Sequence, residues 1–163
     1  MGSLSRRNPN PMTETKHRLA TEDDIPVLCD LLGILFTQEA EFSPDRTRQE
    51  RALRAILGNP AIGEILIAET PGNVLAMVSL LYSESTFLGG KVAILEDMVV
   101  HPEFRGQGIG AALLRAAIEH AQLTGCLRIT LLTDSSNDRA IRFYERLAFE
   151  RSAMLPMRLT FPT

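Results

Sequence analysis

Few cysteines and histidines, no basic run and no long apolar stretch characterise this sequence, and each shortage closes off a class of protein. The two cysteines, Cys29 and Cys126, lie far apart among only three histidines. Neither has a second cysteine or a histidine at metal-ligand spacing, which argues against a zinc site and a disulfide framework and for reduced thiols in a cytoplasmic protein. Lys and Arg number 17 against 20 Asp and Glu, and the formal net charge is -3 without any cluster of positive residues. That balance argues against a nucleic-acid surface, because counterion release requires clustered cations. No apolar run approaches the ~20 residues that cross a bilayer. The N-terminus carries Ser, Arg and Asn where a signal peptide would be apolar. The expectation is a soluble, cytoplasmic chain with no membrane and no nucleic-acid partner.

What is present fits one compact domain: 163 residues, of which 45% are hydrophobic and 23% charged, would leave two domains with thin cores. Residues 1–11 hold two prolines, two asparagines and two arginines without periodicity, and read as a disordered tail or an expression remnant. Residues 12–163 are then a single domain.

A short strand is expected over 17–20. Thr21 caps a helix that carries Ile25, Leu28, Cys29, Leu32 and Phe36 at helical spacing. Thr47 and Glu50 form a capping-box pattern ahead of a second helix, which Gly58 and Pro60 end. Three strand-like runs follow over 64–69, 74–82 and 91–100, then a helix over 109–123 ended by Gly125. A buried strand over 126–133, a short helix over 137–147 and at least one strand from Phe149 onward complete the order. The fold class is α/β: an antiparallel meander followed by a strand-helix-strand crossover makes a mixed sheet with helices on both faces.

The chemistry gathers in one segment. Arg105-Gly106-Gln107-Gly108-Ile109-Gly110 places three glycines in five positions between a strand and a helix. Glycines let an anion approach backbone N–H groups, and those donors sit at the positive end of a helix dipole, so a diphosphate is the natural ligand. Gly106, Gly108 and Ala111 also satisfy a relaxed dinucleotide pattern. In that fold, however, the first glycine follows its strand directly, whereas residues 101–105 intervene here and a meander precedes.

The segment Arg105 to Gly110 resembles the pyrophosphate loop of the GNAT superfamily, R/Q-x-x-G-x-G/A, and Leu95-Glu96-Asp97-Met98-Val99-Val100 looks like the strand before it. Downstream, Asn137, Ala140, Phe143, Tyr144 and Phe149 are similar to its N-x-x-A-x-x-F-Y-x-x-x-G-F segment, with Ala148 where the family usually has Gly. The close similarity covers roughly the last seventy residues. It implies an acetyl-CoA-dependent N-acetyltransferase without a metal. Its acetyl-CoA would contact the backbone of Met98, Val99 and Val100, the loop residues Arg105, Gly106, Gln107, Gly108, Ile109 and Gly110, and Asn137 and Tyr144. The acceptor would be a primary amine of a small molecule or peptide, attacking directly in a ternary complex.

Such transfer needs a base, because an alkyl amine with a pKa of about 10.4 is protonated at neutral pH. Strand alternation puts Glu96 on one face with Met98 and Val100, so Glu96 is the candidate, with ordered water as the alternative. Tyr144 looks like the family's general acid for the departing thiolate, or else packs in the core. Asn137 resembles a cofactor contact, or else caps its helix. His101, in the turn before Pro102, reads as a solvated or packed residue. Gln38-Glu39-Ala40-Glu41 and Tyr82-Ser83-Glu84-Ser85 resemble substrate-lining segments and hint at a cationic amine, or are solvated loops. A non-catalytic acyl-CoA sensor of the same fold is the alternative function. The apolar run Ala153-Met154-Leu155-Pro156-Met157 would support a homodimer or complete the core.

Overall fold

Near-continuous apolar residues in three consecutive runs demand a sheet with two covered faces, and the structure builds one. The computed structural model describes residues 14–38 and 44–162, so the expectations for residues 1–11 and for Glu39 to Glu41 lie outside the described residues. Strand β1 (Lys16–Leu19) leads through a 3-10 turn into α1 (Ile25–Gln38), followed by α2 (Arg46–Leu57). Strands β2 (Gly63–Thr70), β3 (Asn73–Ser85) and β4 (Gly90–Val100) form the meander. Then come α3 (Ile109–Leu123), β5 (Ile129–Leu131) and α4 (Asp138–Glu145). The sheet runs in the order β1-β2-β3-β4-β5, antiparallel through β4, with β5 parallel to β4. A parallel neighbour requires a crossover, and α3 supplies it.

The two faces carry separate cores. Leu66, Val78, Leu80 and Leu95 pack with Leu113, Leu114 and Ala117 of α3. Ile65, Ile67, Met77 and Val99 pack with Leu28, Leu31 and Leu32 of α1 and Leu53 of α2. Adjacent residues Leu66 and Ile67 serve opposite cores, as the two-residue period of a strand requires. At about 1.5–3 kcal/mol per fully buried aliphatic side chain, these layers are the main source of stability.

Four expectations are corrected. The cap of α2 is Asp45, whose Oδ1 accepts from Arg48 N at 3.1 Å, and Thr47 lies inside the helix. A carboxylate at the N-cap both satisfies a free N–H and meets the positive end of the dipole, so it outcompetes a threonine two residues later. The strand expected over 126–133 is reduced to Ile129–Leu131, and no strand follows Phe149 among the described residues. Strand periodicity becomes a strand only where a neighbour takes up the N–H and C=O groups. Met154, Leu155 and Met157 are exposed by 84%, 87% and 96%, so the C-terminal run does not complete the core. Both cysteines are free, as expected. Among the described residues, no helix is long and apolar enough to cross a membrane.

Candidate active site

Strands β4 and β5 part company midway along β4. Their pairing consists of Ala93, Ile94 and Leu95 with Ile129, Thr130 and Leu131. Beyond it β4 continues to Val100, held on its other side by β3 through Val78–Met98, Met77–Val99 and Ala76–Val100. The β5-side edge of 96–100 therefore borders a wedge in which backbone groups can meet an extended ligand rather than a strand.

The register between β3 and β4 also slips here. Leu80 faces Leu95 while Val78 faces Met98, so β4 holds one extra residue opposite Ser79. This bulge resets the alternation on which the placement of Glu96 was based. Leu95, Met98 and Val100 all pack on the α3 side, whereas Val99 packs on the α1 side. Glu96 therefore does not share the face of Met98 and Val100. It is exposed at the bulge, where the wedge begins. Its neighbour Asp97, not singled out in the sequence, bonds to buried Ser79: Asp97 Oδ2 accepts from Ser79 Oγ at 3.1 Å, and Ser79 Oγ accepts from Asp97 N at 3.0 Å. That pair pins the bulge, and the β4 run alone carries no sign of it because the extra residue is defined by β3.

At the end of β4 the chain makes the turn Pro102–Phe104, in which His101 Nδ1 accepts from Glu103 N at 3.4 Å and its ring lies 5.6 Å from that of Phe104. His101 is thus a turn residue. Gly106 and Gly108 then adopt φ of +74° and +79°, and Gly108 is the N-cap of α3. A cap residue without a side chain leaves the first N–H groups of α3 with no side-chain acceptor, and the helix dipole adds to their pull on an anion. A Cβ on either glycine would meet nothing within 4 Å, so backbone conformation is what these positions require. Gly110 differs: its Cβ would lie 3.1 Å from Val100 Cγ2, so α3 packs closely against β4 there and a side chain would need that methyl to give way.

Exposed Arg105 donates from Nε to Val100 O at 2.9 Å. With its amide turned so that the oxygen faces the guanidinium, Gln38 accepts from Arg105 Nη2 at 2.9 Å. Gln107 Nε2 donates to Glu103 O at 3.3 Å, and Ile109 is buried beneath the loop. On α4, Asn137 is the N-cap and accepts from Ala140 N at 3.0 Å. Half-buried Tyr144 stacks edge-on against Phe143 at 5.2 Å and Phe149 at 5.7 Å, on the same core as Met98 and Val100. Ala148 has φ of +66°, a left-handed conformation that suits glycine.

The structure thus brings β4, the glycine loop and α4 to one end of the sheet. Tyr82 to Ser85 pairs instead with the start of β4, where Ser85 faces Gly90. The partners of Tyr82 to Ser85 on β4, Ala93 to Gly90, precede the point after Leu95 where β4 leaves β5.

A mixed sheet splayed beside an uncapped helix start with left-handed glycines leaves room for an extended ligand with an anionic group at the helix N-terminus. The acetyltransferase (GNAT) family model matches residues 28–149, and the chain belongs to that family. It is therefore an acetyltransferase, of a family that uses acetyl-CoA. It is 29% identical over 133 residues to a glucosamine 6-phosphate N-acetyltransferase of Trypanosoma brucei brucei, covering 81% of this chain and 86% of that one. It is 31% identical over 147 residues to the thialysine N-epsilon-acetyltransferase of Mus musculus, covering 83% and 84%. The fold superposes with a TM-score of 0.79 on an integron cassette protein from the mobile metagenome of Cole Harbour Salt Marsh, at 27% identity over 90% of this chain and 91% of that one.

Proposed function

We propose that this enzyme transfers the acetyl group of acetyl-CoA directly to a primary amine of a small molecule or peptide. The observation that carries the reading is the wedge: β4 leaves β5 at Leu95, and the uncapped start of α3 lies just beyond the end of the exposed β4 edge. The diphosphate sits on the N–H groups around Gly106, Gly108 and Gly110, and the pantetheine arm runs along the backbone of Met98 to Val100. The free Nδ2 of Asn137, whose oxygen is used in the cap, is available to the cofactor.

The bulge supports a division of labour between the two sides of β4. Met98 and Val100 lie on the α3 side with Tyr144, where the thioester arrives. Glu96 sits at the mouth of the wedge, where an amine can enter, and removes the ammonium proton directly or through water. The amine nitrogen bonds to the acetyl carbon, the carbon–sulfur bond breaks, and the Tyr144 hydroxyl gives its proton to the departing thiolate. The names of the two relatives point to small primary amines as the acceptor class.

Two measurements test this. CoA at a hundred times its Kd should stabilise the protein by about 2.7 kcal/mol in a melting experiment, and NAD should not. A panel of amines scored by free thiol release then identifies the acceptor. Stabilisation by NAD alone, or no thiol release with any primary amine, would overturn the reading.

A further inference from the structure

At the bulge, the single residue of β3 that faces two residues of β4 is Ser79, and it is only 1% exposed. Its hydroxyl makes two bonds to one neighbour. It donates to Asp97 Oδ2 at 3.1 Å and accepts from Asp97 N at 3.0 Å. One oxygen of β3 thus grips Asp97 by side chain and backbone at once.

A two-against-one mismatch can sit at more than one place along a strand pair, so something must locate it. Leu95 packs on the α3 side. If regular alternation continued past Leu95, with the mismatch one pair further toward Val100, Glu96 would turn toward α1 and Asp97 toward the apolar α3 core. A carboxylate in that layer is strongly disfavoured. With the mismatch at Ser79, Met98 takes the α3 side instead, and Asp97 joins Val99 on the α1 side. Val78 and Leu80 both pack in the α3 core, so Ser79 between them faces α1 as well, and its hydroxyl meets the carboxylate there.

The consequence reaches the wedge. Glu96 is the other bulged residue, and the edge of 96–100 borders the space left by β5. Whatever fixes the bulge also fixes where Glu96 stands relative to the backbone of Met98 to Val100. Ser79 can act there only through its neighbour strand, because β4 lies between β3 and the wedge.

We propose that Ser79 is a positioning residue for acetyl transfer, its hydroxyl holding the bulge of β4 in place and thereby setting Glu96 against the bound thioester. This rests on the acetyl transfer proposed above.

Ser79→Ala removes the hydroxyl without adding bulk, and the variant should still melt cooperatively. With the amine that thiol release identifies, its kcat should fall about ten- to a hundredfold, while the Kd for CoA stays within about threefold because the diphosphate cradle lies elsewhere. Ser79→Thr keeps the hydroxyl and should recover kcat to within about threefold of wild type. Asp97→Ala should lose as much as Ser79→Ala, and the double variant no more than about twofold beyond either, because both remove one linkage. Hydrogen exchange should open the segment 96–100 about tenfold faster in Ser79→Ala, with β2 unchanged. That measurement needs no acceptor, so failure of the hold on the bulge and failure of the proposed activity are distinguishable. Wild-type kcat in Ser79→Ala, equal losses in the Thr and Ala variants, losses that multiply in the double variant, or unchanged exchange at 96–100 would each overturn the proposal.

Discussion

Arg105 Nε donates to the carbonyl oxygen of Val100 at 2.9 Å, closing the turn between the last residue of β4 and the first residue of the glycine loop. The same guanidinium reaches Gln38 at the end of α1, so one side chain ties three elements together. Arg105→Ala should therefore loosen the loop as well as remove a positive charge, weakening CoA binding by about tenfold, or ~1.4 kcal/mol. Arg105→Lys should recover little of it, because an ammonium cannot reproduce the planar fork that serves both partners. Calorimetric titration with CoA checks this, and full recovery with lysine would reduce Arg105 to a simple charge.

Gly108→Val should abolish measurable CoA binding while the protein remains folded. A β-branched residue at φ of +79° is strained whatever the space around it, and the distorted loop no longer presents its N–H groups. Wild-type CoA affinity together with an unchanged melting temperature would remove the loop from the cofactor site.

Ala148→Gly should stabilise the protein. Alanine at φ of +66° carries a steric penalty of roughly 1–2 kcal/mol, partly offset by the greater chain entropy that glycine gives the unfolded state. The net expectation is about 0.5–1 kcal/mol, or a rise in Tm of roughly 1–4 °C. A lower Tm would mean that the turn after α4 relaxes differently from its present conformation.

Tyr144→Phe removes only the hydroxyl, and the ring contacts with Phe143 and Phe149 remain. If the hydroxyl protonates the thiolate, kcat should fall by something like 10²–10⁴ with little change in acetyl-CoA affinity, and the alkaline limb of the kcat profile should vanish. Near-normal turnover with an unaltered profile would assign Tyr144 to packing alone.

Away from the wedge, Glu64 Oε2 accepts from Tyr82 Oη at 2.6 Å and lies 2.7 Å from His120 Nε2. Burial alone would push the Glu64 carboxyl up, but these hydrogen bonds outweigh it and hold the carboxyl below its usual value. A carboxyl depressed in the folded state adds stability above its unfolded pKa, and that contribution fades as pH falls through the folded value. Glu64→Gln should therefore lower stability at pH 7 by about 1–2 kcal/mol, with the loss shrinking toward acidic pH. Denaturant midpoints at neutral and acidic pH check it, and an equal loss at both would exclude the charge as the cause.

Much of the architecture was legible along the chain. The helix expected over 109–123 is α3 to the residue, and the meander strands differ from expectation only at their ends. Here periodicity, glycine and capping chemistry all act within a few residues, and local physics decides. The α2 cap was misread for a related reason: Asp45 and Thr47 are both competent, and only their competition for the same N–H groups separates them.

The sequence by itself determined the family, the glycine loop and the residue types that acyl transfer needs, because those are matters of identity and short spacing. Tertiary structure decided the rest. The bulge that turns Glu96 away from the face of Met98 exists only as a mismatch between β4 and β3. The wedge exists only because β5 stops pairing at Leu131. The exposed run after Phe149 has a strand's pattern without being a strand, since pairing belongs to two segments at once and one segment's sequence carries only half of it.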